Sequence, residues 1–427
     1  MTRRLCILSS LVLSAAFLPS CGGSALGPTT ANLPAYSAGR HASPAGSSGY
    51  KQLYVFKGTP DGASPFGGLV AENGVLYGTT LNGSSNFCSQ SCSNYCYRGC
   101  GTVFSISKAG SESVVYNFRG NFNNAHDGSW PFAGLTPLNG TFYGTTSSAG
   151  ANGAGTVYTV NAAGQESIVY SLAGGSADGQ SPEANLIAYK GKLYGTTVSG
   201  GGNGCGGSGC GIVYSVTTSG TETILHRFSG GNDGAHLYAP VTHFGKRFYG
   251  ATLEGGGTGC GGNGCGTIFE LTSHGKDRVL YRFTGAADGA YPNGLTVNNG
   301  VLYGTTEGGG ARNSGTFFSV TTSGTLTTLY SFKDIPDGNL PGASLILKKG
   351  TFYGTTVGGG TAGQGTVYSI TPAGGETVLY SFGGGSDGSD PQGPLYLFDK
   401  MLYGTTTTGG GTGCNGSGCG TVFKVKP

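Results

Sequence analysis

The chain has 427 residues and a formal net charge of +3, with only 10% charged residues and 87 glycines. The low charge and the lack of a long basic run argue against a nucleic-acid-binding or anionic-membrane surface. Beyond the N-terminus no apolar run reaches 18 residues, so the sequence predicts no internal membrane span. The glycines occupy fixed places between strand-like runs, which favours turns and bulges over disorder.

The first 20 residues have the pattern of a secretory signal peptide. Arg3 and Arg4 form a basic start, and an apolar run from Leu5 to Leu18 follows. The segment Leu18-Pro19-Ser20-Cys21 resembles a bacterial lipobox, although Pro19 replaces the usual small residue. We therefore expect cleavage before Cys21 and lipidation of its thiol. The alternative is a simple secretory peptide with an incidental cysteine.

Residues 21–50 are predicted to be a lipid-anchored flexible tether. The segment is rich in Gly, Ser, Ala and Pro and is almost free of charge, so it cannot bury a core. Its root-mean-square reach is roughly 30 Å, which would hold a domain clear of a lipid surface. Residues 51–427 are predicted to form one domain.

That domain repeats one sequence unit seven times, at spacings of 50 to 66 residues. The clearest element of the unit is Leu302-Tyr303-Gly304-Thr305-Thr306. Its tyrosine recurs at Tyr77, Tyr143, Tyr194, Tyr249, Tyr303, Tyr353 and Tyr403. A period of about 50 residues indicates an array of supersecondary units.

Four patterns with strand character recur in fixed order within each unit. They are an Asp-Gly turn leading into apolar residues, the Tyr-Gly-Thr-Thr run, a Gly-Thr-Val-Phe run, and an aromatic couplet such as Leu379-Tyr380-Ser381-Phe382. Turn signals separate them. The unit is therefore predicted to be a sheet of four short antiparallel strands, named a, b, c and d here.

The two ends of the domain favour a closed ring. Leu53–Phe56 is a d-type strand with no blade before it, and Gly420–Phe423 is a c-type strand with no d strand after it. We predict an all-β, seven-bladed β-propeller of four-stranded antiparallel blades, closed by the N-terminal strand completing the C-terminal blade. An open β-solenoid, the main alternative, would not need complementary ends.

The same motifs resemble the bacterial GloVer-type tandem repeat over residues 51–427. The resemblance rests on Leu-Tyr-Gly-Thr-Thr, the triple glycine that follows it, Gly-Thr-Val-Phe and Leu-Tyr-Ser-Phe. It implies a surface protein with some form of anchor, and the strand plan also looks kelch-like. It implies no biochemical activity, so no catalytic residue is carried over.

Ten cysteines remain once Cys6 and Cys21 are set aside, and an even number in an exported chain favours disulfides over zinc. Six form like-spaced pairs in b–c hairpins: Cys205/Cys210, Cys260/Cys265 and Cys414/Cys419. Four lie together in the first b–c hairpin, with their connectivity open: Cys88, Cys92, Cys96 and Cys100.

The recurring acidic residues are interpreted as scaffold. The aspartates of the Asp-Gly turns are expected to cap backbone amides: Asp61, Asp127, Asp178, Asp233, Asp288, Asp337 and Asp387. Five acids between strands c and d are interpreted as solvated hairpin residues: Glu112, Glu166, Glu222, Asp277 and Glu376. The repeated tyrosines are expected to pack between blades.

No catalytic residue, cofactor or metal site is predicted. His226, His236 and His243 could approach one another, but no carboxylate or cysteine stands beside them at metal-ligand spacing. No nucleophile elbow or phosphate-binding loop is present.

Specificity is expected where the recurrence breaks. The enlarged first b–c loop and the next d–a connection should emerge on one face, because strands alternate in direction. Their candidate ligand-binding residues are Phe87, Tyr95, Tyr97, Arg98, Phe122, His126 and Trp130. Such side chains suit sugar stacking or a protein hot spot. The alternative is that Phe122 and Trp130 merely pack the insertion onto its blade.

These features favour an exported, surface-anchored, non-enzymatic binding or scaffold protein that acts as a monomer on a glycan or protein ligand. It would meet the membrane only through its N-terminal lipid and would not bind nucleic acid. The alternative is an extracellular polysaccharide-active enzyme, a glycosidase or lyase. That reading requires two or more carboxylates, or a His/Tyr pair, to converge on one pocket.

We expect Cys21→Ala to release the protein from membranes, because the lipid would have no thiol to join. Fractionation of cells that express either form measures the effect. Equal membrane partitioning of both forms would contradict lipidation at Cys21.

Overall fold

The computed structural model describes residues 49–86, 99–275 and 277–427. They form seven four-stranded antiparallel sheets, which confirms the seven-bladed β-propeller. The predicted signal peptide, Cys21 and the tether before residue 49 lie outside the described residues. Within the described ranges, no helix has the length and apolar character needed to cross a membrane.

Each blade runs from strand a on the inside to strand d on the outside. Blade 1 comprises Val70–Glu72, Val75–Thr80, Thr102–Ile106 and Glu112–Asn117. Blade 2 comprises Thr136–Leu138, Thr141–Thr146, Thr156–Val160 and Glu166–Ser171. Blade 3 comprises Ile187–Tyr189, Lys192–Thr196, Ile212–Thr217 and Glu222–Arg227. Blade 4 comprises Thr242–Phe244, Arg247–Thr252, Thr267–Thr272 and Asp277–Arg282. Blade 5 comprises Thr296–Asn298, Val301–Gly308, Thr316–Val320 and Leu326–Ser331.

Blade 6 comprises Ile346–Lys348, Thr351–Gly359, Thr366–Ile370 and Glu376–Ser381, and blade 7 comprises Tyr396–Phe398, Met401–Thr406, Thr421–Val425 and Lys51–Val55. Short strands before strand a add to the sheets of blades 5 and 6 at Ala290–Pro292 and Gly338–Pro341. Gly179–Gln180 instead pairs with Ser199–Gly200 in a separate two-stranded sheet. The described helices are single 3₁₀ turns at Phe122–Asn124, Cys205–Gly207 and Cys260–Gly262. Strands a of neighbouring blades contact each other, so they surround the central axis.

The ring closes as the sequence predicts. Lys51–Val55 pairs antiparallel with Thr421–Val425, with Lys51 opposite Lys424. Phe56 follows this strand, is only 2% exposed, and packs its ring 5.1 Å from that of Phe104 in blade 1. The first strand therefore completes the last blade and also seals it against the first.

The core between blades depends on the glycine of each Tyr-Gly-Thr-Thr run. A Cβ on Gly78 would lie 2.6 Å from Cζ of Phe104, so only glycine lets this strand c ring lie across strand b. The same ring contact recurs in the other blades at Tyr158, Tyr214, Phe269, Phe318, Tyr368 and Phe423. Each of these rings is fully buried, which explains why the glycine never varies.

The tyrosine and threonines of the run are structural, as predicted. Tyr77 packs its ring 4.6 Å from Phe142 of the next blade, and Tyr194 packs 4.3 Å from Phe248. The buried hydroxyl of Thr80 donates to the carbonyl of Asn82 and lies 2.8 Å from the hydroxyl of Thr102. This polar contact between strands b and c leaves no buried hydroxyl of the pair without a partner.

The three predicted disulfide pairs are confirmed: Cys205–Cys210, Cys260–Cys265 and Cys414–Cys419. Cys100 is also disulfide-bonded and fully buried. Cys88, Cys92 and Cys96 lie outside the described residues. Several disulfides in one domain indicate an extracellular or otherwise oxidising environment.

We expect Phe56→Ala to lower the free energy of unfolding by about 3–5 kcal/mol, because it opens a cavity at the closure between blades 7 and 1. Urea unfolding measures the change. Lys51→Ala, at an exposed position of the same strand, should leave the midpoint unchanged. An unchanged midpoint for Phe56→Ala would mean that the ring does not depend on this seal.

Candidate functional site

The aspartates of the Asp-Gly turns are structural links. Asp61 accepts the backbone N–H of Lys57 at 2.8 Å and the hydroxyl of Tyr54 at 3.0 Å. The same pair of bonds recurs at each turn, with a histidine replacing the tyrosine at Asp233: Asp127, Asp178, Asp233, Asp288, Asp337 and Asp387. The predicted capping role is therefore confirmed, and the carboxylate also ties strand d to its turn.

The glutamates at the start of strand d are not solvated, contrary to the sequence interpretation. Glu112, Glu166, Glu222 and Glu376 are half-buried, because strand d lies against the Asp-Gly turn of the preceding blade. Burial, followed by the charge of that neighbouring aspartate, raises the pKa of each to about 7. Asp277 alone among these five acids is exposed.

The three histidines that the sequence placed near one another have separate partners. His226 lies between Asp233, at 3.3 Å, and Asp277, at 3.6 Å. His243 stacks on Tyr189 with ring centroids 3.7 Å apart. Three ligand atoms of the His226 group lie within 4.8 Å of one another. Because His226 occupies the tyrosine position of other blades, we interpret this group as a variant of the same link.

A ring of left-handed residues marks the face formed by the d–a turns and b–c loops. In every blade the residue three positions after the turn aspartate has a positive φ, between 53° and 61°, although none is glycine. We call these residues the left-handed ring: Ser64, Trp130, Ser181, His236, Tyr291, Leu340 and Asp390. A non-glycine residue held there costs on the order of 1–3 kcal/mol, and such residues concentrate at functional sites.

Main-chain bonds hold each member of the left-handed ring. The N–H of Trp130 donates to the carbonyl of Cys100 in the preceding b–c loop at 2.9 Å, and its own carbonyl accepts the N–H of Ser147 at 3.1 Å. His236 is held likewise by Cys210 and Leu253, both at 2.9 Å. The chemistry of the side chain therefore varies around the ring while its backbone position does not.

Two positions further on, a second set of residues varies in the same way. We call this set the inner ring: Phe66, Phe132, Glu183, Tyr238, Asn293, Gly342 and Gln392. Members from neighbouring blades approach each other closely here. The rings of Phe66 and Phe132 lie 5.3 Å apart, and Asn293 donates to the carbonyl of Pro341 at 2.6 Å. The two rings together line the mouth of the central axis.

One side of this mouth is rich in carboxyl groups and tyrosines. Tyr238 is 39% exposed, yet its pKa is raised first by burial and then by Glu183, Glu254 and Glu307. Burial, then Glu254 and Glu307, also raises the pKa of Tyr291. We call these five residues and His236 the acidic sector, which draws on blades 3, 4 and 5.

Two glutamates of the acidic sector lack partners. Burial raises the pKa of Glu183 to about 8 and that of Glu307 to about 7. Neither carboxyl has a hydrogen-bond or ion-pair partner in the part of the chain that the structure describes. Both side chains are half-buried and keep access to solvent, so they can meet a ligand. Among the glutamates, fully buried carboxyl oxygens without a partner belong instead to Glu112, Glu166, Glu222 and Glu376.

His236 and Glu254 line an adjoining cleft of about 400 Å³ between the disulfide loops of blades 3 and 4. Nδ1 of His236 donates to the carbonyl of Val198 at 2.9 Å, which leaves Nε2 3.7 Å from a carboxylate oxygen of Glu254. Asn263 donates to the other oxygen at 3.4 Å. The imidazole is thus oriented to meet a ligand through Nε2.

The residues predicted as a binding site lie only partly within the described ranges. Trp130 is a half-buried member of the left-handed ring, Phe122 is half-buried in its 3₁₀ turn, and exposed His126 lies 3.3 Å from Asn121. The two predicted loops meet at their described ends, where Ser84 donates to the carbonyl of Phe118 at 3.0 Å. Phe87, Tyr95, Tyr97 and Arg98 lie outside the described residues.

Sequence reasoning missed the acidic sector. Glu183 and Tyr238 stand five positions after a turn aspartate, where the seven copies differ most, and Glu307 directly follows a Tyr-Gly-Thr-Thr run. Aligning the seven copies and scoring variation at each offset would have found these positions.

A family model of the Gloeobacter/Verrucomicrobia repeat matches residues 84–297 and, in an overlapping copy, residues 205–423. The chain belongs to this family. The predicted GloVer-type repeat is therefore confirmed, whereas the kelch-like strand plan stays a prediction. No curated protein matches the chain.

Several solved structures resemble the chain distantly. A gluconolactonase from Xanthomonas campestris is 12% identical, with a TM-score of 0.42 over 88% of this chain and 89% of the other. A PQQ-bound aldose sugar dehydrogenase from Streptomyces coelicolor is 13% identical, with a TM-score of 0.41 over 68% and 92%. A puromycin hydrolase variant is 13% identical, with a TM-score of 0.47 over 82% and 50%. Likeness this weak carries no functional argument.

The blade-junction glutamates predict a stability that falls as pH rises. Folding raises the pKa of Glu112, Glu166, Glu222 and Glu376 from 4.5 to about 7, so the folded state binds more protons than the unfolded chain across that window. Their contribution to the free energy of unfolding is complete below pH 4.5 and is lost as pH rises through 7. We expect a higher Tm at pH 5 than at pH 8.

Thermal unfolding of the wild type and of a variant with all four residues changed to glutamine checks this expectation. The variant should show a smaller difference in Tm between the two pH values. Glu72→Gln, in strand a of blade 1, should retain the wild-type difference. A Tm that rises from pH 5 to pH 8 in the wild type would contradict the direction.

Proposed function

We propose that the chain is an exported, non-enzymatic binding protein that holds a glycan at the mouth of its propeller, over the acidic sector. Residues 1–20 would direct export, Cys21 would carry the lipid, and residues 21–50 would hold the propeller away from the cell surface as a monomer. The disulfides of the b–c loops are consistent with this location.

The cleft of about 400 Å³ that His236, Glu254 and Asn263 line beside the acidic sector carries the proposal. Its carboxylate and imidazole, together with the half-buried carboxyls of Glu183 and Glu307, offer polar contacts to a ligand. Sugar hydroxyls are suitable partners, because each can donate a hydrogen bond to a carboxylate oxygen.

Exposed rings beside these carboxyls supply the second requirement of a sugar site. Tyr238 is 39% exposed, and half-buried Tyr291 lies on the neighbouring blade near Glu254 and Glu307. Aromatic faces stack on the C–H faces of sugars, while carboxylates bind the hydroxyls at the edge. A flat protein hot spot would instead need a broad apolar centre.

The other side of the mouth can extend the contact. Trp130 of the left-handed ring and the Phe66–Phe132 pair lie in the connections that lead into blades 1 and 2. The predicted residues Phe122 and His126 lie in the same d–a connection as Trp130. An elongated glycan could therefore contact the acidic sector and this aromatic side together, with Phe87, Tyr95, Tyr97 and Arg98 as further candidates.

Glycoside hydrolysis is the second candidate, and one observation favours it. Glu183, with a pKa of about 8, is protonated near neutral pH, which is the state that a general acid requires. Glu254 would then supply the second carboxylate. The lyase alternative fits less well, because the carboxylate of Glu254 would repel the carboxylate of a uronic acid.

A glycan array beside a hydrolysis screen, both with the full chain, tests the proposal. We expect specific glycan binding without turnover. Tyr238→Ala should weaken that binding about five- to tenfold, the loss of one stacked ring. Phe244→Ala is the matched control, since Phe244 is 37% exposed on the same blade at the far end of strand a.

Equal losses of affinity for Tyr238→Ala and Phe244→Ala would show that the glycan does not bind at the mouth. Hydrolysis abolished by Glu183→Gln would replace the binding proposal with the second candidate. If no glycan binds and the chain captures only proteins, the glycan proposal is wrong.

A further inference from the structure

We infer that the junction between blades 3 and 4 binds a divalent transition metal, with Zn²⁺ as the preferred ion. Its ligands are His226, Asp233 and Asp277. One atom from each, an imidazole nitrogen and two carboxylate oxygens, lies within 4.8 Å of the other two. The inference does not depend on the glycan function, because His226 and Asp277 lie on the outer strands d and not at the mouth of the axis.

Three separate segments bring these ligands together. His226 lies near the end of strand d of blade 3, Asp233 in the turn that follows, and Asp277 at the start of strand d of blade 4. Nε2 of His226 lies 3.3 Å from Oδ2 of Asp233, and Nδ1 lies 3.6 Å from Oδ1 of Asp277. A metal bound by all three residues would therefore join blade 3 to blade 4.

The distances are close to those of a coordinated ion. Ligand atoms around a tetrahedral Zn²⁺ are roughly 3.4 Å apart, because each lies about 2.0–2.2 Å from the ion. One ion takes only one nitrogen of an imidazole, so one carboxylate must turn toward the nitrogen that faces the other. Asp277 is free to do so, since its side chain is 36% exposed.

The link at this junction differs from its counterparts at two of three positions. At the junction of blades 1 and 2 the hydroxyl of Tyr116 lies 2.7 Å from Asp127 and 3.2 Å from Glu166. At the junction of blades 3 and 4, the imidazole of His226 replaces the phenol and the shorter Asp277 replaces the glutamate. A neutral imidazole offers a metal its lone pair, and the shorter acid leaves space for an ion. The two exchanges together convert a hydrogen-bonded link into a set of metal ligands.

The site is accessible from solvent and has no cation of its own. In the part of the chain that the structure describes, neither Asp233 nor Asp277 forms an ion pair with a lysine or arginine. Asp233 also accepts the backbone N–H of Ser229 at 2.9 Å, which fixes the orientation of its carboxylate. Hydrogen bonds of this kind orient the ligands of metal sites. A divalent ion would balance the two negative charges.

The chemistry of the ligands favours Zn²⁺ over Ca²⁺ and Mg²⁺. The latter ions bind almost exclusively to oxygen, and Ca²⁺ takes about six to eight oxygen ligands. Imidazole nitrogen suits zinc and its neighbours among the transition metals. One imidazole and two carboxylates supply three positions of a tetrahedral Zn²⁺, and water can occupy the fourth.

Calorimetric titration of the full chain tests the inference after EDTA has been used to strip metal and has been dialysed away. We expect one Zn²⁺ to bind per chain, at least about tenfold more tightly than Ca²⁺ or Mg²⁺. Saturating Zn²⁺ should raise the Tm by about 2–4 °C, because the three ligands come together only in the folded state.

Two variants and one control locate the ion. His226→Tyr introduces the residue that the other six junctions carry, so the variant should fold while its affinity for Zn²⁺ falls at least about tenfold. Asp277→Asn, at an exposed position, should lower the affinity by a similar factor. His126→Gln removes an exposed histidine between blades 1 and 2 and should bind Zn²⁺ like the wild type. Co²⁺, used as a spectroscopic probe, should show the intense visible bands of a four-coordinate ion in the wild type but not in His226→Tyr.

The same measurements can overturn the inference. A wild type that binds no Zn²⁺, or Zn²⁺ binding that survives both His226→Tyr and Asp277→Asn, would show that these residues do not form the site. An equal loss of affinity in His126→Gln would indicate adventitious binding to surface histidines only. Ca²⁺ binding as tight as that of Zn²⁺ would contradict the assignment of the metal. If His226→Tyr does not fold, Asp277→Asn decides the question.

Discussion

The structure depends on one contact, which each blade makes once: an aromatic ring of strand c lies across the glycine of strand b. That ring meets a phenylalanine that directly follows strand d of the preceding blade, with centroids 5.0–5.3 Å apart at six of the seven junctions. At the remaining junction Leu172 packs with Tyr214. Because the same ring joins strands within a blade and joins one blade to the next, any side chain larger than glycine would separate both. Blade folding and ring closure are therefore parts of one packing event.

The repeated contact also positions the variable face. Strands b and c pack on the outer side of strand a, so strand a lies next to the axis. The d–a turn that leads into strand a contacts the preceding b–c loop. In four blades the carbonyl that receives the left-handed residue belongs to a disulfide-bonded cysteine: Cys419, Cys100, Cys210 and Cys265. The covalent bonds of the loops therefore hold the backbone of the site as well as the loops themselves. An oxidising environment is thus important for the shape of the mouth and not only for stability.

The fold was readable from the sequence because its information is periodic. Seven copies of Tyr-Gly-Thr-Thr and a d-type strand at the wrong end of the chain determine both the blade number and the closure. The acidic sector was not readable, because Glu183 and Glu307 are 124 positions apart and only the curvature of the ring unites them. The interpretation of Glu112 failed for a related reason. A hairpin residue is solvated when its own blade is considered alone, and the blade that buries it is formed by residues distant in the sequence.

The left-handed ring has a consequence for how such proteins diversify. Ser64, Trp130, His236 and Asp390 differ in size, polarity and charge, yet their φ angles agree within 7°. Since main-chain bonds hold every one of these positions, whatever the side chain, selection can exchange a side chain at one of them without changing the packing of the core. Seven such positions amount to a display of independently replaceable contacts on an unchanging frame. A family built on this plan can acquire new specificities by point substitution, in the way that antibody loops change while their sandwich is kept.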